Sequence, residues 1–117
     1  MTPEGLIKRA ICDYLSTKKD VFFWVNESVG IFDPRRKIFL KKNSKYQIKG
    51  VSDILGIWEG QPIAIEVKSE KGRVSPDQKI FLERFKKEGG IAFVARSVED
   101  AMKVFEVKAG DFPDDAA

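Results

Sequence analysis

Asp53 and the triplet Glu66-Val67-Lys68 are the residues whose types and spacing could do chemistry in this chain. Two carboxylates and one ammonium group fall on two neighbouring β-rich segments with a short link between them. Carboxylate oxygens are hard donors that suit Mg²⁺ or Mn²⁺. A lysine beside them suits a phosphate as a compact positive charge.

The two segments are Val51 to Trp58 and Ile63 to Lys68, joined by Glu59-Gly60-Gln61-Pro62. Gly and Pro between two β-rich runs predict a hairpin. With the turn centred on Gly60-Gln61, Trp58 opposes Ile63, Leu55 opposes Glu66 and Asp53 opposes Lys68. Side chains alternate faces with a period of two. Asp53, Glu66 and Lys68 then share one face, while Ile54, Trp58, Ile63, Ile65 and Val67 take the other and form core. A slip of one residue would separate Asp53 from Glu66. The rival reading of Asp53 opposite Lys68 is a surface ion pair worth under about 1 kcal/mol. The flanking residues oppose it. Both strands are apolar on both faces, as in a covered central sheet, where a charge is costly unless paired or bound to a metal.

The chain has 117 residues and no histidine. That removes Ser-His-Asp and Cys-His catalysis and histidine metal ligands. Acid–base work would fall to Asp, Glu, Lys, Tyr or metal-activated water. The single cysteine, Cys12, excludes an intramolecular disulfide and a cysteine zinc site, and its apolar-periodic setting makes it core. The length fits one domain with one modest core. No apolar run approaches the ~20 residues of a membrane span, and Met1-Thr-Pro-Glu does not resemble a signal peptide. A soluble cytoplasmic protein with no membrane partner is expected.

The net charge of +3 hides an asymmetry. Arg35, Arg36, Lys37, Lys41, Lys42, Lys45 and Lys49 supply seven positive charges with no acid between Pro34 and Ser52. Elsewhere 14 of the 21 basic residues face all 18 acidic ones. Phe39 and Tyr46 are interleaved with the basic residues. A basic segment leading into a carboxylate hairpin is what a nucleic-acid backbone requires, and these seven are the candidate nucleic-acid-binding residues. The alternative is a Lys-rich edge strand that resists aggregation.

The elements that must position these groups follow from local signals. Thr2 caps a first helix with Pro3 at its first position, and Ile7, Ala10, Ile11, Tyr14 and Leu15 mark its buried stripe. Val21 to Val25 is a strand. Gly30 to Leu40 holds two short β-like pieces around a turn at Asp33-Pro34. Ser75-Pro76-Asp77-Gln78 opens a second helix as a capping box, ending at Gly89-Gly90. Ile91 to Ala95 is a strand, and Ser97 to Asp100 reads as a second capping box for a helix with Val98, Ala101, Met102 and Phe105 as its stripe. The order is α-β-β-β-β-α-β-α, an α/β fold with a small mixed sheet flanked by helices. One domain covers residues 1–108, and 109–117 is an acidic, frayed tail.

With these residues in place, the chain resembles the VRR-NUC domain (virus-type replication-repair nuclease) of the PD-(D/E)XK nuclease superfamily. Gly50-Val-Ser-Asp53-Ile, Ile65-Glu66-Val67-Lys68 and Ser75-x-x-Gln78 at a helix start carry the resemblance, which spans the first helix to the Ile91 strand. Ser52 stands where the superfamily name has Pro. The resemblance implies a restriction-endonuclease-like core, α-β-β-β-α-β with a mixed central sheet flanked by helices, and Mg²⁺-dependent cleavage of DNA, with Mn²⁺ as substitute. Asp53, Glu66, Lys68 and Gln78 would be catalytic. Asp53, Glu66, the carbonyl of Val67 and Glu4 would hold the metal. Glu4 can equally favour its helix dipole, and Gln78 can serve its capping box. Small standalone members of this kind, typically from phages, resemble Holliday-junction resolving enzymes that act as homodimers. The implied setting is the cytoplasm of a bacterial or phage-infected cell, and the implied substrate is branched DNA. Flap or duplex cutting by the same fold is one alternative, and a non-catalytic DNA-binding module another. The apolar residues Ile31, Phe32, Ile38 and Phe39 make the 31–40 segment the expected dimer interface.

Overall fold

A computed structural model describes residues 1–27, 31–40 and 45–106, excepting the side chains of Ile31, Phe32 and residues 38–40. Helix α1 (Pro3–Ser16) starts where expected, with the Thr2 side chain accepting from the Gly5 amide at 3.0 Å. Strand β1 (Val21–Val25) follows, then the short strands β2 (Ile31–Asp33) and β3 (Ile38–Leu40). The main hairpin is β4 (Ile54–Trp58) and β5 (Gln61–Val67). Helix α2 (Pro76–Lys87), strand β6 (Ile91–Ala95) and helix α3 (Val98–Phe105) complete the chain. Five strands precede α2, one more than the expected order has, since both short pieces around Asp33-Pro34 are strands; β2 and β3 form a separate two-stranded sheet.

The main sheet is mixed, in the order β1-β4-β5-β6. Strand β4 is antiparallel to both neighbours, and β6 runs parallel to β5 across the α2 crossover. Ile11 and Leu15 of α1 and Ala101 and Phe105 of α3 pack on one face against Ile54, Trp58, Ile63, Ile65 and Val67. The expected core face of the hairpin is therefore the observed one. Each of the large aliphatics there removes enough apolar surface to contribute about 1.5–3 kcal/mol. Met102, expected in the α3 stripe, is instead 39% exposed, and Val98, Ala101 and Phe105 carry the contact. On the opposite face α2 covers Ala64 and Ala92 with Leu82, Phe81 and Phe85.

The two strands of the hairpin are not equally covered. Ile63 to Val67 of β5 are all buried, as expected for a central strand. On the α2 side of β4, Ile57 is exposed. The α2-side cluster extends over β5 and β6 to Leu55 of β4 and leaves Ile57 and the outward residues of β1 exposed.

The hairpin register differs from expectation by two residues. Trp58 pairs with Gln61, Gly56 with Ile63 and Ile54 with Ile65. The turn is Glu59-Gly60, with φ of 50° and 81°. Positive φ at both positions is the two-residue type I′ turn, whose twist matches antiparallel strands. The shift is even, so every side chain keeps its expected face. Among the described residues no helix is long and apolar enough to cross a membrane.

Candidate active site

Asp53 immediately precedes β4, and its place is fixed from three sides. Its carbonyl accepts from the Asn26 amide at 2.8 Å, continuing the β1–β4 ladder. Its carboxylate Oδ2 accepts from the Val67 amide at 2.8 Å. The β4–β5 register, carried one step past Ile54–Ile65, sets Asp53 across from Glu66. Asp53 was expected to face Lys68, and the type I′ turn is the reason it faces Glu66 instead.

Glu66 is 2% exposed and sits in the middle of the sheet. Its Oε1 lies 3.8 Å from the Lys68 ammonium nitrogen, and Lys68 is itself mostly buried. Its Oε2 is buried without a hydrogen-bond partner. Burial raises its pKa first, and Asp53 raises it further, by its charge and by a side-chain hydrogen bond that favours the protonated form. Lys68 opposes the shift, Glu4 adds to it, and the value reaches about 8. Like charges directly across a strand pair destabilise a sheet, and a buried polar atom with no partner costs about 1–3 kcal/mol. Without a cation, a proton held on Glu66 relieves the repulsion, which is the raised pKa. A cation placed between the carboxylates would relieve it with both ionised.

The structure brings Asp53, Glu66 and Lys68 together. Glu4, on the first turn of α1, acts on Glu66 through its charge. Among the described residues no three acidic, histidine or cysteine groups gather closely enough to hold a metal ion. Gln78 completes the capping box of α2: its Oε1 accepts from the Ser75 amide at 2.9 Å, and its amide donates to Ser75 Oγ at 3.2 Å.

Of the basic segment, Arg35, Arg36 and Lys37 sit exposed at the β2–β3 turn. That turn is organised by Asp33, which accepts from the Arg35 amide at 2.9 Å. Lys45 and Lys49 are exposed, with Lys45 over the Tyr46 ring. Lys41 and Lys42 lie outside the described residues. So do the side chains of Ile31, Phe32, Ile38 and Phe39, on which the expected dimer interface rests.

One contributor was named in the sequence only as part of a motif, and another went unrecognised. Gly50 has φ of +75°, and a Cβ there would lie 2.4–2.6 Å from Asp77 and Gln78 backbone atoms. The Gly-x-x-Asp motif therefore packs against the start of α2, joining the Asp53 strand to the Gln78 helix. A glycine three residues before an acid was the available signal. The second is Arg96, whose Nη1 donates to the carbonyls of Ser69 at 2.8 Å, Gly72 at 2.7 Å and Glu70 at 3.3 Å. It clamps the loop that follows Lys68. Nothing in the sequence around Arg96 announces this, because the contact exists only once β6 lies beside β5. The expected capping box at Ser97 is half formed: Ser97 Oγ accepts from the Asp100 amide, but Asp100 accepts from the Arg96 amide at 2.8 Å. Ser52 is buried with its hydroxyl unpaired, and nothing in the structure explains a hydroxyl there.

A mixed sheet with helices on both faces carries Asp and Glu-x-Lys on its central hairpin. The sequence matches the VRR-NUC domain over residues 9–99, most of the chain, and the protein belongs to that family of nuclease domains. Asp53, Glu66, Lys68 and Gln78 lie inside the matched span and Glu4 outside it. No curated protein matches the chain.

Proposed function

We propose that this protein is a divalent-metal-dependent, structure-specific DNA endonuclease that cuts branched DNA, with four-way junctions as the preferred substrate and a homodimer as the working form. The observation that carries the catalytic part is Glu66: a buried carboxyl set against a second carboxylate and beside a lysine, with its pKa raised to about 8. The all-oxygen donor set of Asp53, Glu66 and the Val67 carbonyl fits a hard cation such as Mg²⁺ or Mn²⁺. Such an ion would supply polarisation of a phosphate oxygen and acidification of water.

The chain's own residues do the rest. The Val67 amide fixes the orientation of the Asp53 carboxylate. Lys68, held beside Glu66, supplies a positive charge and N–H donors to the phosphate and orients the attacking water. Arg96 keeps the loop after Lys68 in one conformation. The exposed cations Arg35, Arg36, Lys37, Lys45 and Lys49, together with Lys41 and Lys42, attract the DNA backbone.

Junction preference and dimerisation are linked. Two paired cuts across a four-way junction need two sites, and a two-fold dimer supplies them. The test is incubation of the pure protein with labelled four-way junction, flap and linear duplex, in Mg²⁺ or EDTA. Paired symmetric nicks in the junction, absent in EDTA, are expected. Cutting of flap or duplex in preference would assign a different substrate to the same site. Binding without cutting in either Mg²⁺ or Mn²⁺ would reduce the carboxylates to a structural role.

A further inference from the structure

The exposed part of the α2-side sheet face carries two aromatic rings, the nearer of them next to Asp53. Phe22 and Trp24 alternate outward on the edge strand β1 and are 68% and 46% exposed. Their ring centroids lie 5.8 Å apart with planes tilted by 52°. Trp24 pairs with Leu55 and Phe22 with Ile57. The next residue of β1's outward series is Asn26, whose amide bonds to Asp53. Trp24 is therefore one pleat along and one strand over from Asp53, about 8 Å between Cα positions.

Among the described residues, packing gives no reason for this pair. The other tryptophan, Trp58, is buried on the opposite face, with its indole N–H donated to Asp20 at 3.0 Å. A single exposed apolar side chain needs no explanation, but two adjacent rings contiguous with an exposed Ile57 form a patch. The outward residues of β1 and β4 here (Phe22, Trp24, Leu55, Ile57) carry no charge that would repel a nucleic acid. A protein seated on Trp24 would crowd the path by which a phosphodiester reaches Asp53 and Glu66. A nucleotide would use the same path.

We infer that Phe22 and Trp24 form a stacking platform for unpaired bases of the DNA, next to the strand that is cut. This rests on the nuclease function proposed above and narrows its substrate to DNA with locally unstacked bases. Bases in a duplex strand follow one another about every 3.4 Å, so rings 5.8 Å apart and tilted cannot extend such a stack. Each can instead cap one splayed base. Stacking on an aromatic ring is tolerant of sequence because every base has a π-face.

The experiment uses the full chain in EDTA with fluorescein-labelled oligothymidylate and a blunt duplex of equal length. Anisotropy gives the affinity, and tryptophan emission gives the contact. The wild type should bind oligothymidylate with quenching of Trp24, and buried Trp58 should be left unquenched. Trp24→Ala should weaken oligothymidylate binding about ten-fold and leave duplex binding within about two-fold. Trp24→Phe should retain most of the affinity, and Phe22→Ala should lose less than Trp24→Ala. If Trp24→Ala binds both probes as the wild type does, in a protein that cuts DNA with Mg²⁺, the platform is wrong and the nuclease reading stands. If Trp24→Ala instead dissociates a wild-type dimer in sedimentation and weakens both probes alike, the face is a subunit contact and the platform is overturned. A wild type that neither binds nor cuts any DNA overturns both.

Discussion

The Val67 amide donates to Asp53 Oδ2 at 2.8 Å, tying β5 to the start of β4 at the point where two carboxylates face each other. One side chain thus holds the sheet together and strains it electrostatically. The two roles separate by substitution. Asp53→Asn keeps an acceptor for Val67 and removes the charge opposite Glu66. Asp53→Ala removes both and leaves a buried amide unpaired, at roughly 1–3 kcal/mol. Both variants are expected to lose cleavage. In EDTA at pH 8, Asp53→Asn should melt at or above the wild-type temperature and Asp53→Ala clearly below Asp53→Asn. Equal melting of the two variants would show that the amide bond contributes nothing.

The raised pKa of Glu66 makes stability depend on pH in a direction opposite to that of most carboxylates. Folding lifts it from an ordinary 4.5 to about 8, through burial first and the Asp53 charge second. Between those values the folded state binds more protons than the unfolded state, so stability falls as pH rises. The contribution is complete below about pH 4.5 and lost through about pH 8. Metal-free protein should therefore become easier to unfold in urea from pH 5 to pH 8.5. Glu66→Gln should flatten that slope and abolish cleavage. A wild-type slope of the opposite sign would mean that Glu66 stays ionised throughout.

Much of this was legible in the sequence, and the exceptions have physical causes. The capping residues Thr2 and Ser75 act locally, through side-chain oxygens meeting amides three residues on, so they can be read without tertiary structure. The faces of the β4–β5 hairpin were legible because alternation has a period of two. Its register was not, because Glu59-Gly60 and Gly60-Gln61 both place glycine in a turn and only backbone dihedrals separate them. The exposure of Ile57 and the clamp by Arg96 depend on where α2 and β6 come to lie, which no local pattern encodes.

Arg96 is expected to act on activity through the loop it holds. Its guanidinium bonds three carbonyls between Ser69 and Gly72, and the Lys68 amide bonds the carbonyl of neighbouring Ala95. Arg96→Ala frees the segment that carries Lys68, Lys71 and Arg73. Cleavage should fall by at least about ten-fold in kcat with a smaller change in KM, the signature of misplaced catalytic groups. Trypsin should cut after Lys71 and Arg73 about ten times faster than in the wild type, reflecting local opening. Arg96→Lys should recover part of the activity, since all three bonds come from one nitrogen, which an ammonium on a shorter side chain can replace in part. Unchanged proteolysis with lost activity would place Arg96 in direct contact with DNA instead.

Gly50 offers the cleanest test of how the Asp53 strand is joined to the Gln78 helix. Its φ of +75° alone disfavours a side chain, and a Cβ would also strike the Asp77 carbonyl and the Gln78 amide at 2.4–2.6 Å. Gly60 separates the two effects, because its φ of +81° is nearly the same and nothing lies within 4 Å of its Cβ position. Gly60→Ala should therefore cost only the left-handed backbone penalty, about 1–2 kcal/mol. Gly50→Ala should cost at least about 1–2 kcal/mol more, because backbone atoms cannot yield as the tip of a flexible side chain does. The difference, read from urea unfolding of the two variants, measures the contact between the Gly-x-x-Asp segment and the start of α2. Cleavage should fall in Gly50→Ala and persist in Gly60→Ala, since only the first displaces α2 relative to Asp53. Equal destabilisation by the two would mean that α2 moves aside freely, and that the spacing between Asp53 and Gln78 is set elsewhere.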